Sequence, residues 1–300
     1  MTIKKIKMLD FASANEVQKV EFGKSIVQSA KTMGFLVLQD TAVSLDRQNE
    51  IFGLAKNFFE GLDECTRQEL AFDKVTNRGL AGIGNEALDE QSRDVKETYN
   101  IGFEGTSVPN VWSKSPKLTK FNLELLKYAE ECFAVTKDLL RALALGCDMP
   151  SEFFVDKHDR DSQTLRLLHY PCLQGSSENF SVSPHTDYGT LTLVYNCGAT
   201  FSVQDLTTGQ WHDVPAEPGD AVVNIADLLM RWTNNCLQSN PHRVKYSDCG
   251  KSSFMTAFFA HPSYMQTIDC LPTFVGNGKL YQPINSLEYL NQRLAKTYKY

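Results

Sequence analysis

The chain has 300 residues, 42% hydrophobic and 22% charged, a globular balance long enough for one large core or two smaller ones. A net charge of −6 offers no phosphate-binding surface, so nucleic acid is not an expected partner. No apolar run approaches the roughly 18 residues needed to span a bilayer, and the basic start MTIKKIKMLDF lacks the apolar stretch of a signal peptide, so no membrane and a cytoplasmic setting are expected.

In chain order, NEVQKVEFGKSIVQSAKTMG carries apolar residues near helical spacing and stops at Gly34, a C′ glycine, before FLVLQ, a short strand. A second helix is expected from about Ser44 to Phe59. The glycine-rich NRGLAGIGN leads to DVKETYNIGF, Asp94 to Phe103, read as a strand. Thr119 to about Leu145 is the clearest helix, ending at Gly146 with Pro150 beyond it. After Pro150 the texture changes to short β-rich runs divided by turn residues: TLRLLHY, NFSVS, TLTLVYN, TFSVQD, AVVNIAD, HRVKY and SFMTAFFA. Such a series predicts an antiparallel sandwich or barrel. SLEYLNQRLAKTY closes the chain as an amphipathic helix with Ser286 as its N-cap. The expected class is α+β with a mainly β core, flanked by N-terminal helices and a C-terminal helix, with no linker that would split it. Eight cysteines without a CxxC pair read as buried small hydrophobes rather than as a disulfide framework.

The stretch SPHTDYGTLTL holds the candidate chemistry. On an extended backbone His185 and Asp187 point to the same side, as two ligands of one ion must. NPHRVKY offers His242 at the start of another strand as a third ligand. Two imidazoles and one carboxylate on one face of an ion leave the opposite positions open, the arrangement of non-haem iron(II) oxygenases, where dioxygen and substrate both need access. The competing reading is that an HxD triplet arises by chance, with His185 bonded to a turn and His242 in a core. His158, His169, His212 and His261 have no carboxylate at comparable spacing and read as structural.

The segment from Leu165 to Pro262 resembles the iron(II)- and 2-oxoglutarate-dependent oxygenase superfamily, in its isopenicillin N synthase-like branch. The resemblance is carried by LRLLHYP, SPHTDYGTLTLVYN, GQWHDVPAEPGDAVVNIADLLMRWTNN, PHRV and AFFAHP, in family order. MGFLVL, NRGLAGIGNEALDE, DVKETYNIG and the tail GNGKLYQPINSLEYLNQRL extend it over nearly the whole chain. It implies a single domain over 1–300, with a family-like N-terminal region at 1–115 and a double-stranded β-helix, or jelly-roll, core at 160–263. It also implies iron(II) on a catalytic triad of His185, Asp187 and His242. In the family's reaction, dioxygen oxidatively decarboxylates 2-oxoglutarate while a C–H bond of a small organic substrate is oxidised.

One feature of that family is missing. The far carboxylate of 2-oxoglutarate is usually held by an RxS pair, because a guanidinium forks onto a carboxylate. Counted back from Ala257, the two positions hold Ser253 and Met255. Three readings compete. Another cation could substitute: Lys251, two residues before Ser253, or Arg166, on the same strand face as Tyr170, which matches a family tyrosine near the co-substrate. The iron chemistry could dispense with 2-oxoglutarate. Or the jelly roll could bind a metal or ligand without turnover. Arg78, Tyr99 and Phe103 fall in segments that line the family's substrate cavity; for Tyr99 and Phe103 the alternative is core packing.

Overall fold

The computed structural model describes residues 3–84, 95–171, 180–245 and 252–297. Its helices are α1 (Met8–Ser13), α2 (Glu16–Ala30), α3 (Leu45–Gly61), α4 (Glu64–Glu69), α5 (Thr119–Gly146), α6 (Asp227–Trp232) and α7 (Ser286–Thr297). The first strands are β1 (Lys4–Lys7), β2 (Phe35–Gln39), β3 (Gly79–Ala81), β4 (Glu97–Ile101) and β5 (Thr164–Tyr170). The remaining strands of the core are β6 (Phe180–His185), β7 (Leu191–Cys197), β8 (Thr200–Gln204), β9 (Trp211–Asp213), β10 (Ala221–Ile225), β11 (His242–Lys245) and β12 (Ser253–Ala260).

Local chemistry sets the helix boundaries. Asn15 and Gln18 form a reciprocal capping box at the start of α2, with bonds of 2.9 and 3.0 Å. Ser44 Oγ accepts the Arg47 amide at the start of α3. The first helix ends at Ala30, earlier than Gly34; that glycine instead takes φ +63° in the turn into β2, where a side chain would run into the Gln238 carbonyl. At the C-terminus Ser286 lies inside α7, and the cap is Asn285, whose side chain accepts the Glu288 amide at 3.1 Å. The Ser286 hydroxyl turns inward to the Pro262 carbonyl and His261.

An eight-stranded sheet in the order β1-β2-β10-β7-β12-β5-β4-β3 faces a four-stranded sheet, β6-β11-β8-β9. Alternation along each strand divides the larger sheet into two faces. On one, Leu36, Leu38, Leu167, Leu193, Val223 and Phe258 join the main core with α2, α3 and α5. On the other, Val37, Leu168, Val194, Val222 and Met255 meet Val182, Phe201, Val203 and Val244 of the smaller sheet. The result is the expected jelly roll, backed by helices. Helices α2 and α5 cross with almost no gap: a Cβ on Gly23 would lie 2.3 Å from the Ala142 carbonyl oxygen. Among the described residues no helix is long and apolar enough to cross a membrane.

Candidate metal centre

Strand β6 ends on His185, and its antiparallel ladder with β11 sets His242 directly opposite. Asp187 follows two residues after His185, at the turn into β7. The two imidazole Nε2 atoms each lie 3.8 Å from Asp187 Oδ1. One ligand atom from each of the three residues falls within 4.8 Å of the others. Bonds of about 2.0–2.2 Å to a first-row metal would bridge such a spread. The ring of His242 is stacked on Phe201 and edge-on to Phe35, so packing fixes its plane.

The surrounding bonds turn these groups toward a common point. His185 Nδ1 lies 2.9 Å from the Ser183 carbonyl, and His242 Nδ1 lies 3.4 Å from that of Asn240. An Nδ1–H donated to a carbonyl leaves the Nε2 lone pair for an ion. Asp187 Oδ2 accepts Thr192 Oγ1 at 2.5 Å and Asn224 Nδ2 at 2.7 Å, which leaves Oδ1 facing the histidines. Burial, aided by the neighbouring His242, pushes His185 down to about 3, so the ring is the neutral, metal-binding form. Burial works the other way on Asp187, but the two imidazoles and the Thr192 and Asn224 bonds outweigh it and hold the carboxyl below its ordinary range. Two imidazoles beside one buried carboxylate suit iron(II).

The triad opens onto a pocket. The pocket is lined by Asn77, Lys96 and Arg166, by Phe259 and His261, and by Leu290 and Leu294 of α7. Arg166 Nε donates to Asn100 Oδ1 at 2.9 Å, and its guanidinium carbon lies 5.4 Å from the centre of the Phe259 ring. Tyr170 is on the inner face, its hydroxyl 3.7 Å from Met255 Sδ, and Ser253 is buried beside it. Lys251 lies outside the described residues.

Three of the expected substrate residues face elsewhere. Tyr99 is on the opposite face of β4, fully buried against Phe58, with its hydroxyl donating to the Val111 carbonyl at 2.8 Å. Phe103 packs on Phe133 under the Arg160 guanidinium. Arg78 is buried behind the pocket wall, donating to Thr164 Oγ1 at 2.8 Å and to the Gln163 carbonyl at 3.0 Å. Its neighbour Asn77, at φ +56°, reaches the pocket instead. Sequence reading also missed Lys96, Thr192 and Asn224. Lys96 alternates with Thr98 and Asn100, and that period was the available signal.

Residues 162–262 match the family described as the 2OG-Fe(II) oxygenase superfamily, and residues 6–116 match the non-haem dioxygenase in morphine synthesis N-terminal family. The chain is 28% identical to the 2-oxoglutarate-dependent dioxygenase gloF of Glarea lozoyensis, over 99% of this chain and 100% of that one. It is 28% identical to the 2-oxoglutarate-Fe(II) type oxidoreductase ppzD of Metarhizium rileyi, over 98% of this chain and 92% of the relative. A full-length Neurospora crassa protein, crystallised with α-ketoglutarate and 5-formyluracil, superposes with a TM-score of 0.88 at 29% identity, covering 98% of this chain and 96% of that one. The chain belongs to the iron(II)- and 2-oxoglutarate-dependent oxygenase superfamily, and its chemistry is that of a non-haem iron dioxygenase.

The pocket suits the family's co-substrate in an altered way. Ser253 and Met255 put no charge where the family resemblance leads one to expect an arginine, yet Lys96 and Arg166 bring two cations to the pocket that meets the triad. A dianion entering beside an iron(II) site needs such compensation.

Proposed function

We propose that His185, Asp187 and His242 hold the iron, and that the protein oxidises a C–H bond of a small, flat, polar molecule seated by Arg166 and Phe259. The observation that carries the reading is the convergence of the three ligand atoms at the wall of a pocket with both polar and aromatic surfaces. When bound, the metal supplies dioxygen activation, coupled to decarboxylation of 2-oxoglutarate. The chain's own residues do the rest. Asn100 fixes the Arg166 side chain, whose guanidinium beside the Phe259 ring offers a planar cation and an aromatic edge or face to a heteroaromatic ring. Leu290 and Leu294 add apolar surface to the lining, which limits water there. The Neurospora crassa relative supports a substrate of this class, since it has been crystallised with α-ketoglutarate together with thymine, and with 5-formyluracil.

The test is anaerobic titration of the iron(II) protein with 2-oxoglutarate, read by the visible metal-to-ligand charge-transfer band, followed by succinate release in air with a panel of pyrimidines and other small heterocycles. Asp187→Ala should lose the iron and the band together. Arg166→Ala should keep the band and lose substrate-stimulated succinate by at least roughly tenfold, as expected when a charged contact is removed. A wild-type protein that binds no iron, or that binds it without a band at any 2-oxoglutarate concentration, sinks the reading.

A further inference from the structure

Ser253 stands where the family resemblance leads one to expect an arginine, and the structure brings a different cation near the same level of the barrel. The ladder between β4 and β5 pairs Asn100 with Arg166, Thr98 with Leu168 and Glu97 with His169. Lys96 lies one residue before β4, next to the Glu97–His169 pair, and Tyr170, the residue after His169, is the ladder partner of Ser253. Lys96 therefore enters the barrel near the level of Tyr170 and Ser253. Alternation puts Lys96 on the same face as Thr98 and Asn100, toward the barrel interior.

Two strand spacings of about 4.8 Å separate the backbones of Lys96 and Ser253. The four-carbon stem of a lysine crosses much of that gap. Lys96 is only 5% exposed, and it shares the pocket wall with His185 and Asp187.

Arg166 is less suited to this role. It pairs with Ala257, four residues along β12 from Ser253 and toward the end that meets the triad through Thr192 and Phe259. Its Nε is held by Asn100, and its guanidinium lies against Phe259. The two cations of the pocket thus stand at different depths.

We propose that Lys96, just before β4, receives the far carboxylate of 2-oxoglutarate. The inference rests on the reading that this chain uses 2-oxoglutarate, and the test separates the two. The iron(II) protein is titrated without oxygen, following the charge-transfer band, with 2-oxoglutarate and with 2-oxopentanoate, an acid of the same chain length without the far carboxylate. Wild type should prefer 2-oxoglutarate. Lys96→Met should weaken 2-oxoglutarate by roughly 10- to 100-fold, the range for a lost charge-assisted bond, and leave 2-oxopentanoate unchanged. Lys96→Arg should restore most of the preference, and all three proteins should bind equal iron.

A Lys96→Met protein that titrates like wild type overturns the anchor while leaving co-substrate use intact. So does equal weakening of both acids, which would mark a structural role, and so does loss of the preference in Arg166→Met instead. A wild-type protein with iron but no band overturns 2-oxoglutarate use and the anchor with it.

Discussion

Asn224 offers a test of how the metal centre is built at the level of single atoms. Its amide and the Thr192 hydroxyl take up Asp187 Oδ2, leaving Oδ1 as the atom that faces both imidazoles. Removing one of two orienting bonds frees the carboxylate to rotate, and such outer contacts are worth about 10- to 100-fold in metal affinity. Asn224→Ala should therefore weaken iron(II) or manganese(II) binding by that factor, measured by anaerobic titration, with an unchanged circular dichroism spectrum. Unaltered affinity would mean that Thr192 alone sets the carboxylate. His185 and Asp187 were legible in the sequence because an HxD spacing on a strand makes a shared face by itself. His242 could be offered only as a histidine opening a distant strand, since the β6–β11 ladder that brings it across is not local in the sequence. Tyr99 follows the other of its two readings, core packing: alternation puts it opposite Thr98 and Asn100, and which face looks inward is decided by the neighbouring strand β5.

At the scale of elements, the close crossing of α2 and α5 depends on two glycines. A Cβ on Gly23 would stand 2.3 Å from the Ala142 oxygen and 2.7 Å from the Gly146 nitrogen, and one on Gly146 would stand 2.3 Å from the Gly23 oxygen. All of these obstacles are backbone atoms, which cannot rotate away as a side chain can. The better helix propensity of alanine, worth about 1 kcal/mol, is outweighed by the overlap, so Gly23→Ala should cost roughly 2–3 kcal/mol of stability. Urea denaturation measures it, and a variant as stable as wild type would show that the helices can slide apart freely. Sequence reading found Gly146 as a helix stop but not as a contact, because a contact needs both partners. The strands after Pro150 were legible from their own alternation and β-rich composition. Strand β1 was not: KKIK has the composition of a solvated tail and becomes a strand by pairing in parallel with β2.

At the scale of the whole molecule, the class of fold was readable but its strand order was not. Neighbours such as β2 and β10, or β12 and β5, are far apart in the chain, and their pairing reflects how two sheets share one interior. Two buried histidines help to tie these distant parts together. His158 bridges the Phe154 carbonyl at 2.6 Å and Thr190 Oγ1 at 2.8 Å, joining the turns after α5 to the start of β7. His261, at the end of β12, has Nδ1 3.1 Å from both the Pro262 carbonyl and Ser286 Oγ, which secures α7. Burial lowers both to about 4 from an ordinary 6.5. Between those two values the unfolded chain binds more protons than the folded one, so stability rises with pH across the window and falls on acidification. Each ring should cost about 2 kcal/mol by pH 5 relative to neutral pH. Their joint effect should appear as a lower urea midpoint at pH 5 than at pH 7.5. His158→Asn, which cannot titrate, should start less stable at pH 7.5 but lose less on acidification, by about 2 kcal/mol. If the variant and wild type lose the same amount, the buried His158 ring does not control the acid response, and the weakening must come from elsewhere in the structure.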